Sequence, residues 1–103
     1  MTFENEGLRC KFSLPDPLCM RHVEKYEAAR DEARLAGAQF APSINWVGAV
    51  ALVEDWECEA LPDPNSLTPA DLADTHGTVL QIVMWVAGQV SAHVMRELFV
   101  PKN

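Results

Sequence analysis

The chain has 103 residues, a length that suits one domain, and its 49% hydrophobic and 22% charged content excludes a disordered polypeptide. Eight basic against 15 acidic residues leave a net charge of −7; an acidic surface with no basic patch repels phosphate and anionic lipid, so neither nucleic acid nor a membrane is an expected partner. The three cysteines include no C-x-x-C pair and read as reduced cytosolic thiols.

Met1 to Cys10 contains Glu4, Glu6 and Arg9 and no apolar core, so no secretory signal is expected. From Thr2 to Leu14 the residues alternate, with Leu8, Cys10, Phe12 and Leu14 on one side and Arg9, Lys11 and Ser13 on the other. That is strand periodicity, and Asn5-Glu6-Gly7 can turn a short hairpin into it. Asp16-Pro17 predicts the start of a first helix running to about Ala36, with Gly37 ending it. Its apolar side is Leu18, Cys19, His22, Val23, Tyr26, Ala29 and Ala33; Arg21, Glu24, Glu27, Arg30, Asp31 and Arg34 form a solvated, mixed-charge side.

Ser43 can cap a second helix from Ile44 to about Ala60. Trp46, Val47, Val50, Val53 and Trp56 make its apolar face, which runs into the acids Glu54, Asp55, Glu57 and Glu59. Gly48, Ala49 and Ala51 are small enough for a neighbouring helix to approach closely. Leu61 to Leu67 is a turn-rich linker. Thr68-Pro69-Ala70-Asp71 then opens a short turn of helix through Ala73. The last helix is expected from Asp74 or Thr75 to near Leu98. Val79, Ile82, Val83, Val86, Val90, Val94 and Leu98 mark one side; Leu80, Met84, Ala87 and Met95 widen it, and Trp85 lies on its flank. Its longest apolar run, Val79 to Val90, is too short to span a bilayer. The fold class predicted is therefore all-α: a single helical domain over residues 1–103, a three- to four-helix bundle with a short amino-terminal strand or hairpin.

Candidate chemistry is thin. Cys19 and His22 are three residues apart on a helix and could face one metal ion, with Cys10 and Cys58 completing the set, but no second paired motif exists. No turn or oxyanion loop marks a cysteine nucleophile, and His76 and His93 are too far apart to act together. No metal, no cofactor and no enzymatic activity are expected. The acids Glu54, Asp55, Glu57 and Glu59 would crowd a helix carboxyl end, where negative charge is unfavourable. A solvated face and contact with a basic partner segment both fit them. Tryptophans beside such acids suit a partner-binding surface, placed at Trp46, Val50, Val53, Glu54, Trp56 and Glu57. The wide apolar girth of the last helix suits a homo-oligomer interface through Val79, Val83, Val86, Val90 and Val94.

Phe12-Ser13-Leu14-Pro15-Asp16-Pro17-Leu18 resembles the "F-x-L-P-x-P-L" entry of small tail-assembly proteins of long-tailed bacteriophages and prophages. Trp56-Glu57-Cys58-Glu59-Ala60-Leu61-Pro62-Asp63 is similar to a tryptophan-acid-proline stretch in the same proteins, and the Trp-bearing last helix followed by Val100-Pro101-Lys102-Asn103 resembles their ending. The resemblance implies a tail assembly chaperone. Such a protein acts in the host cytoplasm, binds the tape-measure or another tail protein without ATP, and is displaced as tube subunits polymerise. The alternative is a small structural virion component, a tail or head–tail connector protein that stays in the particle. The resemblance also suggests a longer product made by frameshifting, since Pro101-Lys102-Asn103 can be encoded with a slippery A-AAA-AAC run; an ordinary stop after a polar tail fits equally.

Overall fold

The computed structural model describes residues 1–99. In chain order the elements are β1 (Thr2–Asn5), β2 (Cys10–Ser13), α1 (Met20–Leu35), α2 (Ala41–Leu52), β3 (Asp55–Cys58), a single 3-10 turn (Pro64–Ser66), α3 (Pro69–Ala73) and α4 (Gly77–Phe99). The three strands form one antiparallel sheet in the order β1-β2-β3. The domain is mixed α and β, which corrects the expected all-α bundle. The frameshift site at Pro101 to Asn103 lies outside the described residues.

The amino-terminal hairpin forms where the alternation places it. Asn5 Oδ1 accepts the Leu8 amide at 3.1 Å inside the turn, and Arg9 takes a positive φ of 51° before β2 begins. Cys10, Phe12 and Leu14 are buried on one face, as the period-2 pattern requires.

The correction lies after α2. That helix begins at Ala41, capped by extended Phe40 and with Pro42 in its first turn, so Ser43 is not its cap. It ends at Leu52 rather than near Ala60, because Val53 is extended and the Glu54 amide already donates to the Ser13 carbonyl at 2.9 Å. The next four residues are β3, which pairs Cys10 with Cys58, Lys11 with Glu57, Phe12 with Trp56 and Ser13 with Asp55. Asp55-Trp56-Glu57-Cys58 has a period of two, polar out and apolar in. Two charged rows result on the outer face. Lys11 lies between Glu4 and Glu57, and Arg9 reaches Glu59 at 2.9 Å.

α1 starts late. Its cap is Cys19, three residues beyond the expected Asp16-Pro17 opening, and the Cys19 amide donates to His22 Nδ1 at 2.8 Å. Its end is as expected: Gly37 follows with φ 101°, a conformation that costs glycine little. α1 and α2 cross closely at Gly48, where an added Cβ would lie 2.7 Å from Arg30 Cγ and 2.8 Å from the Tyr26 ring. Arg30 is more than solvated surface: it lies 5.4 Å from the centroid of the Tyr26 ring, and its Nε donates to Asn45 Oδ1 of α2 at 3.0 Å. α3 is capped as its motif predicts, with Thr68 and Asp71 exchanging hydrogen bonds.

The core lies between the inner face of the sheet, α2 and α4. An aromatic set joins them. Phe3 stacks on Phe12 at 5.0 Å, Trp85 of α4 meets Phe12 edge-on at 5.4 Å, and Trp46 of α2 meets Trp56 of β3 edge-on at 6.0 Å. Three helices alone do not cover three tryptophans; the sheet provides the missing wall. Ile82, Val83, Val86, Val90 and Val94 of α4 are buried in this core. Gly77–Leu98 is nevertheless long and apolar enough to cross a membrane, with mean hydropathy 1.3. The shorter stretch Val79 to Val90 understates it. A core helix passes the same test of length and composition.

Candidate functional site

The residues singled out as a partner surface are divided by the fold. Trp46 is 1% exposed, deep in the core. Val50 and Val53 are half-buried, and so is Trp56, whose Nε1–H donates to the Leu61 carbonyl at 2.7 Å. Glu54 and Glu57 are exposed. Trp56 and Glu57 stand on opposite faces of one strand, so they share no surface. The acids do not crowd a helix end either. Asp55 accepts from the Ser13 hydroxyl at 3.0 Å, Glu57 lies across from Lys11, and Glu59 is paired with Arg9. The outer acids and bases of the sheet largely answer one another.

The set placed at an oligomer interface is likewise internal. Val83, Val86, Val90 and Val94 are buried against the rest of the chain, and Val79 is half-buried. In the folded chain these side chains face the protein's own core, Val79 least completely.

The open apolar surface is the other side of the same helix. Leu80, Met84, Met95 and Leu98 are 41–52% exposed. Their spacing of four, eleven and three residues places them on one stripe of a 3.6-residue helix, with Gly88 and Ser91 between them. Gly88 has nothing within 4 Å of an added Cβ, so the middle of the stripe is an open floor. Ala41, Pro42 and Asn45 at the start of α2 form one wall of this groove, with Met84, Ala87, Gly88, Ser91 and Ala92 as its base. Phe40, the residue that precedes α2, is 69% exposed. No Asp, Glu, Lys or Arg occurs between Gly77 and Met95. The stripe from Leu80 to Met95 is about 22 Å long at the helical rise.

Sequence reasoning noted Leu80, Met84 and Met95 only as widening the core side. The signal that separates them is chemical: the β-branched residues of α4 gather on one face and the Met and Leu residues on the other. Ala41, Pro42 and Asn45 had no such signal, because only tertiary packing brings them beside α4.

Among the described residues no group of three or more His, Cys, Asp or Glu side chains could hold a metal ion. His22 is engaged by the Cys19 amide and serves the start of α1. His93 is buried edge-on to Phe3 at 6.1 Å, whereas His76 is exposed ahead of α4. The arrangement suits binding of an apolar, elongated segment: an uncharged floor and flexible methionines that adapt to a partner. No family model matches the chain, and neither a curated protein nor a solved structure matches it.

Proposed function

We propose that this protein is a tail assembly chaperone of a long-tailed phage or prophage, a non-enzymatic protein that holds an apolar helical segment of a tail protein in the host cytoplasm. The tape-measure protein is the client that the resemblance favours. The observation that carries the reading is the stripe Leu80, Met84, Met95 and Leu98, turned away from the protein's own core beside an open Gly88 floor. A soluble domain gains nothing by exposing a continuous uncharged helix side unless something covers it. The dimensions suit one client helix of about four turns laid against α4 in the helix-in-groove manner. The net charge of −7 keeps the loaded complex soluble. The seat of binding thus moves from Trp46 and Trp56 to α4 and the start of α2.

The test is co-expression with tape-measure segments, followed by calorimetric titration of the purified pair. The double variant Met84→Glu, Met95→Glu is expected to bind at least tenfold more weakly while keeping the wild-type Tm, as loss of apolar anchors does. Equal binding by that folded variant would remove the groove from the reading. Mass spectrometry of purified particles is expected to lack the chain; its presence at stoichiometric level would make it a structural virion component instead.

A further inference from the structure

Cys10 and Cys58 play no part in the groove, yet the sheet sets them face to face. They are direct partners in the β2–β3 register, and both belong to the buried inner face. The hydrogen-bond pattern fixes what kind of pair they are. The Glu59 amide donates to the Arg9 carbonyl at 3.3 Å, so Arg9 and Glu59 form a hydrogen-bonded pair. On the other side of β2, Leu14 and Met1 exchange bonds at 2.8 and 3.0 Å. Even-numbered residues of β2 therefore bond toward β1 and odd-numbered ones toward β3, because the amide and carbonyl of one strand residue point the same way. Cys10 and Cys58 are consequently a non-hydrogen-bonded pair, in which Cα atoms approach to about 4.5 Å and side chains come closest. That separation falls within the roughly 4.4–6.8 Å that a disulfide bridges. Both are free thiols in this structure, as is half-buried Cys19.

We propose that Cys10 and Cys58 are a disulfide-forming pair, a cross-strand staple that ties the edge strand β3 to the central strand β2 under oxidising conditions. The oxidant is a small disulfide of the glutathione type. The Cys58 thiolate attacks it, expels one small thiolate and leaves a mixed disulfide; the Cys10 thiolate then attacks the Cys58 sulfur and expels the second. One S–S bond is made and one broken. The electron pair passes from the two protein thiols to the oxidant, and their two protons end on the two released thiolates. Cys58 is the first to react because it lies on the edge strand and is 8% exposed against 2% for Cys10. Burial beside Cys58 pushes the Cys10 thiol up to about 12, so closure is slow and follows transient opening of the edge. The bond closes a loop of roughly 50 residues containing the whole α1–α2 hairpin, which strongly restricts the unfolded chain.

The experiment incubates the full chain with excess oxidised glutathione, in native buffer and in urea below the unfolding midpoint. Denaturation and alkylation with iodoacetamide follow, and intact mass and peptide mapping give the readout. The expected product has lost two hydrogens between Cys10 and Cys58, carries at Cys19 either one alkyl group or one glutathione, and yields a joined Cys10–Cys58 peptide. Its Tm is expected to rise by on the order of 10 °C and to return on reduction. Cys58→Ser should lose both the bond and the rise. Cys19→Ser, which leaves the core untouched, must still form the bond, and it carries the test if Cys58→Ser fails to fold. Three alkylated cysteines after both treatments, or a bond from Cys19 to either partner in place of Cys10–Cys58, would overturn the proposal.

Discussion

Two glycines of similar sequence setting have opposite roles. Gly48 lies where α1 and α2 touch, with Tyr26 ring carbons 2.8 and 2.9 Å from an added Cβ. The Tyr26 ring is buried and cannot swing away. Gly48→Ala is therefore expected to destabilise the fold by about 1–3 kcal/mol, the usual cost of overpacking, read as a lower urea midpoint; an unchanged midpoint would show that the helix pair has slack. Gly88 has open space instead, and Gly88→Ala should stabilise α4 by up to about 1 kcal/mol through helix propensity. Trp56 makes the third residue-scale case. It packs on Trp46 and Phe12 and donates to the Leu61 carbonyl, so Trp56→Ala should cost about 3 kcal/mol or more of stability by cavity formation. A Trp56→Ala protein with wild-type Tm and weakened client binding would return this residue to the partner surface.

At the scale of elements, local capping is the most predictable feature. Thr68 Oγ1 accepts the Asp71 amide at 3.2 Å while Asp71 accepts the Thr68 amide at 3.0 Å. Thr68→Ala should cost about 1 kcal/mol, visible as faster amide exchange in α3. Hydrogen bonds from the Thr68 amide and hydroxyl hold the Asp71 carboxyl below its ordinary 3.8. A depressed carboxyl stabilises the fold above its unfolded value and loses that contribution as pH falls through its folded value. Protection of the α3 amides, taken as exchange relative to the intrinsic rate at each pH, should therefore fall as the solution is acidified below pH 3.8. β3 is the opposite kind of element. Four residues form a strand because β2 presents a free edge opposite them, and an alternation this short is outweighed in sequence by the apolar run of α2 before it.

For the whole molecule, alkaline stability is set by two buried groups, Cys10 on the inner side of the sheet and Tyr26 on α1. Burial pushes the Cys10 thiol from the ordinary 9.0 to about 12 and also raises the Tyr26 phenol, against the opposing Ser91 hydroxyl and Arg30 charge. Both groups stay protonated in the fold at a pH where the unfolded chain has released its protons. The unfolded state then binds fewer protons, so stability is full below pH 9 and falls as pH rises from 9 toward 12. Thermal melts across that range should show a steadily falling Tm, shallower in Cys10→Ala. A flat profile would mean that neither group is shielded in solution.

Local pattern alone determined a good part of this protein. Its amino-terminal hairpin, the stop at Gly37, the capped start at Thr68 and the long last helix with its valine side all follow from dihedral limits, free amides and hydrophobic periodicity, which act over a few residues. The net charge was also readable. Tertiary structure decided the rest. Asp55 to Cys58 became a strand because β2 had an unpaired edge within reach; that turned a continuous acidic helix face into a paired sheet surface and set Trp56, half-buried, against the core that holds Trp46. The apolar circumference of α4 was visible from the start, but sequence cannot say which half is covered. The sheet and α2 covered the valines, and the Leu and Met stripe was left facing outward, because burial is a property of what packs against a residue and not of the residue itself.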